Sequence, residues 1–138
     1  MDLKNIATIV GKPGLYKIVK PSKTSVIVES LDEKKTKLMA TAQHRLSILD
    51  EISIFTVSTE GSVPLAEVFQ TMHIEFGDDL GVDKNSDGEE LQSFLKHVLP
   101  NYDTKRVYQS DIKKLIRWYN VLLNHFPSLF TESTQEEE

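Results

Sequence analysis

The sequence predicts an α+β protein, an N-terminal SH3-like small antiparallel β-barrel followed by a three-helix C-terminal module. Three observations point to it. Up to about residue 60 the apolar residues alternate in short runs rich in Val, Ile and Thr, the period of a half-buried strand. Beyond it they recur every three or four positions, the period of one helix face. The connections between the early runs are short, which favours antiparallel neighbours. A chain of 138 residues suits one domain or two small modules sharing a core. The change of period divides it into a barrel module at 1–60, a helical module at 61–130 and an acidic tail at 131–138 with the composition of a disordered segment.

Gly11-Lys12-Pro13-Gly14 is the first punctuation. Proline pre-sets φ for the second position of a turn and glycine tolerates the positive φ of the third, so Lys12 to Leu15 is expected to form a type II turn. The Gly-Lys pair does not make a phosphate loop. That motif runs Gly-x-x-x-x-Gly-Lys-Ser/Thr into a helix, whereas here Pro13 removes an N–H and a strand follows. Strands are expected at 15–19, 25–30, 36–40, 46–48 and 52–57. Short antiparallel strands in such number curl into a small barrel, which leaves few open edges. Lys12, Lys17, Lys20, Lys23, Lys34, Lys35 and Lys37 dot this half. Glu29, Asp32 and Glu33 stand among them, so they read as solvated turns and edge-strand charges rather than one basic face.

The first helix is expected to start near Val63-Pro64, with Leu65, Val68, Phe69, Met72 and Phe76 on one face and Gly77 at its end. An acidic loop, Asp78 to Asp87, follows. Ser86 and Glu89 are spaced as a capping box for the second helix, which lines up Leu91, Phe94, Leu95, Val98 and Leu99 and stops at Pro100. The third helix is expected after Ser110 as N-cap, with Asp111 favourable to the helix dipole. Ile112, Leu115, Ile116, Tyr119 and Leu123 form its core stripe, and Trp118, Val121 and Leu122 widen it. An arc this wide belongs to a helix packed on both barrel and helices, or to one that lends part of its face to a partner. Phe126 and Phe130 continue the contact.

Apolar residues make up 39% and charged residues 27%, ordinary for a globular protein. The chain has no cysteine, which excludes disulfides, thiolate metal sites and a cysteine nucleophile, and fits a reducing compartment. Ile6 to Val10 is too short for a signal-peptide core, and no apolar run approaches the ~20 residues of a membrane span. Together these place the protein in the cytoplasm, with no membrane partner expected. The net charge of −5 argues against non-specific nucleic-acid binding. Its distribution is uneven: 61–100 holds 2 basic against 8 acidic residues, while 101–130 holds 5 against 2.

Asp83 to Gly88 matches the first six positions of an EF-hand calcium loop, but the twelfth position, where a bidentate Glu must clamp the ion, is Phe94. His44, His73, His97 and His125 lack zinc-ligand spacing. There is no Gly-x-Ser-x-Gly elbow. The carboxylate pairs Asp78-Asp79 and Glu89-Glu90 fall in a solvated loop and at a helix start, and nothing in the pattern predicts the burial that acid–base work requires. No catalytic residue, metal site or cofactor is therefore expected.

One cluster stands out. Tyr102, Lys105, Arg106 and Tyr108 lead into Lys113, Lys114, Arg117 and Trp118, so that aromatic and basic groups interleave as a stacking platform with phosphate contacts would require. The same residues also fit a plainer reading, in which the tyrosines fold the 101–109 connection onto the core and the cations form a solvated face.

Gly11-Lys12-Pro13-Gly14-Leu15-Tyr16-Lys17 with Val28-Glu29-Ser30-Leu31 resembles the start of a small uncharacterised family of Bacteroidota cytoplasmic proteins. Leu99-Pro100-Asn101-Tyr102-Asp103, the run from Arg106 to Lys114, and Trp118-Tyr119-Asn120 are similar to its second half. The resemblance implies an N-terminal β module and a C-terminal helical module, and no known activity, catalytic residue or cofactor. The function expected is a non-enzymatic protein-interaction (adaptor) module whose partner is another protein or a second copy of the chain. The alternative is a nucleic-acid-associated protein using the 102–118 cluster.

Overall fold

Ile6-Ala7-Thr8-Ile9 opens the chain's first strand, in a computed structural model that describes residues 1–21, 23–41, 44–83 and 85–130. The predicted tail at 131–138 lies outside the described residues. The strands are β1 (Ile6–Ile9), β2 (Lys12–Pro21), β3 (Ser25–Ser30), β4 (Lys37–Thr41), β5 (Leu46–Ile48), β6 (Ser53–Phe55) and β7 (Ser62–Pro64). The helices are α1 (Leu65–Phe76), α2 (Gly88–Val98) and α3 (Gln109–His125). A 3-10 turn at Leu49–Glu51 makes a fourth helical element where three were expected.

β1 to β5 form one antiparallel sheet in the order β4-β3-β2-β1-β5, and β6 and β7 pair separately. This corrects the expected set of five: β1 was missed, and the run at 52–57 belongs to the small second sheet. The expected type II turn also moves. The chain reverses at Val10-Gly11, where Ile9 pairs with Lys12 and Gly11 takes φ 86°, the left-handed region that favours glycine. Gly14 does hold a positive φ of 83°, but inside β2, where the β1–β2 register shifts.

β2 carries a second irregularity between Ile18 and Lys20. Bulges bend a strand and strengthen its twist, and the sheet curls over a small cluster of its own. Ile9, Val28 and Ala40 are buried there, flanked by Tyr16, Ile18, Val26, Leu38 and Leu46. All five strands contribute, yet the sheet stays open instead of closing into the expected barrel. Where β4 ends, the turn takes up its edge groups: the Thr41 N–H donates to His44 Nδ1, and the His44 N–H donates to the Thr41 carbonyl.

The opposite face of the sheet meets the helices. Leu3, Ile6, Leu15 and Leu49 share one buried cluster with Leu65, Phe69 and Met72 of α1, Leu91 and Leu95 of α2, and Ile112, Leu115, Ile116, Tyr119 and Leu122 of α3. α3 packs on both β2 and α2, which accounts for the width of its apolar arc. Leu122 is buried where Leu123 was expected, and Leu123 packs at the margin. The caps also shift. Asp87 rather than Ser86 caps α2, in a reciprocal box with Glu90, and Asp111 reaches back to the Tyr108 N–H at 2.9 Å, which puts the N-cap of α3 two residues before the expected Ser110.

Tyr119 ties these parts together. It is fully buried, its ring lies between Phe69 and Phe130 at centroid distances of 6.2 and 5.4 Å, and its hydroxyl donates to the Gly77 carbonyl. Gly77 itself, at φ 62°, ends α1 by donating its N–H to the His73 carbonyl. Burial, with the charge of Asp78 adding to it, pushes the Tyr119 phenol up to about 12. With its pKa raised, this group contributes stability that is fully present below pH ~10 and is lost as pH rises from ~10 through ~12. Tyr119→Phe should cost ~1 kcal/mol at neutral pH and should flatten this alkaline loss, as urea titrations at pH 8 and 11 would measure.

Candidate functional site

The pleat of β1 sends neighbouring side chains to opposite sides. Ile9 enters the sheet's own cluster, while Thr8 and Val10 face the other way, beside Ser47, which pairs with Thr8 across β1 and β5. They form one wall of a groove of about 400 Å3. Ile52 and β6, through Ser53, Ile54 and Phe55, form the second wall. α3 supplies the third through Asp111, Ile112, Lys114, Leu115 and Trp118, with Leu65 and Leu95 also lining the groove. A volume of this size is typical of sites that hold small ligands or a few side chains of a partner.

Two cations stand at this groove, each over an aromatic face. The Arg106 guanidinium lies 3.7 Å from the Phe55 ring centroid, and the Lys114 ammonium 5.9 Å from that of Trp118. Neither is ion-paired to a carboxylate among the described residues, where the ion pair formed is His97 with Glu75 at 3.7 Å. The lining contains one carboxylate, Asp111, and its Oδ2 accepts the Tyr108 N–H.

The backbone of β6 adds a further feature. Thr56 donates to Gly61, and Leu65 donates to Ile52, so the even-numbered residues of this run bond toward β7. Ser53, Phe55 and Val57 therefore turn their N–H and C=O groups to the other side. There the Phe55 carbonyl accepts from Asp103 and the Val57 N–H donates to Asn101. Among the described residues no backbone hydrogen bond on that side engages Ser53 or the Phe55 N–H.

The sequence-predicted cluster is thus dispersed. Tyr102 is 6% exposed, bridges Thr56 and has its phenol pushed up by burial, so it is a core residue and no stacking platform. Lys105 sits in an exposed turn, its N–H donating to Asp103. Tyr108, 64% exposed, precedes α3 away from the groove lining, and Lys113 and Arg117 lie on the exposed side of α3. Only Arg106, Lys114 and Trp118 reach the groove. In the acidic loop, Asp83 accepts the Asn85 N–H and Asp87 caps α2, and no group of three potential metal ligands occurs among the described residues. Nor is any helix there long and apolar enough to cross a membrane.

Residues 3–49 match a domain of unknown function (DUF5606) and residues 52–122 a second domain of unknown function (DUF6852). The chain belongs to the DUF6852 family. A solution NMR structure from Bacteroides vulgatus, a structural-genomics target, is 38% identical, with 90% of this chain and 87% of that chain covered and a TM-score of 0.66. No curated protein matches the chain. The uncharacterised family implied by the sequence strings is therefore the one found. The two segments meet at the 3-10 turn, and the groove lies along their seam: Thr8, Val10 and Ser47 come from the DUF5606 segment, and the remaining lining residues from the DUF6852 segment.

Sequence reasoning missed Val10, Phe55 and Ser47. The available signal was an apolar residue beside turn punctuation, Val10 before Gly11 and Phe55 ahead of Gly61; the structure leaves them 67% and 41% exposed. Tyr102→Ala should cost ~3 kcal/mol, the loss of a buried aromatic, whereas Lys113→Ala and Arg117→Ala should stay within ~0.5 kcal/mol of the parent, all read as urea midpoints.

Proposed function

We propose that this DUF6852 protein is a non-enzymatic, cytoplasmic interaction module of the adaptor kind, which docks another protein in the seam groove. The observation that carries the reading is the groove itself. Its walls are mostly apolar, and among the described residues it lies beside strand-edge groups left unbonded and holds Arg106 and Lys114 at its mouth without carboxylate partners. The nucleic-acid alternative keeps Tyr108 as an exposed aromatic, with Tyr102 withdrawn into the core.

The test compares proteins retained from nuclease-treated cell extract by the wild-type chain and by Val10→Asp and Phe55→Ala, both exposed positions at which the fold should persist. Proteins held by the wild type and lost from both variants are the expected result. Identical recovery on all three, or partners that vanish with nuclease, would overturn the proposal.

A further inference from the structure

The chemistry of the groove also identifies its occupant. We infer that it takes an extended, acidic peptide segment of a partner protein, added as a strand along the outer edge of β6, with apolar side chains in the groove and carboxylates on Arg106 and Lys114. The inference rests on the interaction reading above and deepens it.

Three independent features converge. First, the backbone: Ser53 offers an N–H and a C=O, and Phe55 an N–H, on the side away from β7. A guest strand satisfies such groups by main-chain hydrogen bonds whatever its sequence. From the Ser53 N–H to the Phe55 N–H, short of the Phe55 carbonyl that Asp103 already engages, the open edge spans ~7 Å at the rise of a strand, a length that a guest of about three residues covers. Second, the pleat of that guest would alternate its side chains, one set entering the groove between Val10, Ile54 and Trp118 and the other facing solvent. Third, the charge: the lining holds two cations against one carboxylate, within a chain of net charge −5. Both cations lie over aromatic rings. Arg106 in particular presents a planar fork suited to bidentate carboxylate recognition. A basic segment would meet two uncompensated like charges, and a neutral one would leave them unpaired.

The experiment pans a random octapeptide library against the wild-type chain at 150 mM salt, a typical physiological strength, with counter-selection on the double variant Arg106→Gln, Lys114→Gln. Both substituted residues are exposed, and circular dichroism of the variant, expected to match the wild type, checks that the fold persists. Enriched peptides should carry Asp or Glu beside aliphatic or aromatic residues. They should shift the fluorescence of Trp118, the chain's single tryptophan, and the amide resonances of Ser53 and Phe55. They should bind the double variant at least ~10-fold more weakly. N-methylation of alternate peptide bonds should abolish binding where it removes the N–H groups that face β6. Enrichment of basic or uncharged peptides, binding that ignores the double substitution, or enriched peptides that leave Ser53 and Phe55 unshifted would overturn the inference. So would tighter binding of a single-stranded oligonucleotide than of any selected peptide. If such failure coincides with extract partners that still depend on Val10 and Phe55, the occupant is a protein of different chemistry. If those partners are also indifferent to the groove, the function proposed above falls with it.

Discussion

Burial of Ile6, Leu15 and Leu49 against α1 and α3 is the contact on which the rest of the structure depends. Among the described residues the sheet's own cluster holds three buried residues, Ile9, Val28 and Ala40. A segment as short as residues 3–49, which carries this sheet, buries too little of its surface to be more than marginal by itself. Burying an aliphatic side chain contributes ~2 kcal/mol, so these three contacts together rival the net stability of an ordinary domain, ~5–15 kcal/mol. The helices need the sheet equally, since α3 would otherwise expose Ile112, Leu115 and Ile116 along one side. Tyr119 holds the arrangement from the far end, where its hydroxyl fixes the end of α1.

The same constraint creates the groove. The curled sheet and the β6–β7 pair approach α3 from different directions and do not hydrogen-bond to each other as one sheet. The space between them is walled by Val10 on one side, Phe55 on the other and Trp118 along α3. Arg106 and Lys114 lie across aromatic rings at its mouth, which orders long side chains that would otherwise be free to rotate. The groove is thus a product of the seam, and neither segment alone contains it.

Much of the helical half was legible in the sequence, because period and capping act locally. Leu65 to Phe76 and Leu91 to Val98 show the three- and four-residue spacing, and Gly77 and Asp111 mark termini. The β half was less legible. Ile6-Ala7-Thr8-Ile9-Val10 lacks polar alternation because three of its residues are buried by packing on both faces of the sheet. β7 is three residues long and ends in Pro64, which reads as the start of a helix. Barrel closure depends on whether two edges meet, and no local pattern encodes that. The site was legible only in its α3 part. Thr8 and Ser47, or Phe55 and Arg106, are far apart in the chain, and the fold alone brings them together. Tyr102 misled for the same reason, since a tyrosine beside lysines looks like a surface platform until β6 is placed over it.

The most direct test of the shared core is urea unfolding of the full chain, followed simultaneously by Trp118 fluorescence in α3 and by the amide resonances of β2 and β3. Mutual dependence of the two segments predicts a single coincident transition by both probes. Loss of the Trp118 signal at lower urea, with the β2 and β3 amides still dispersed, would show that the sheet stands without the helices and would contradict the account.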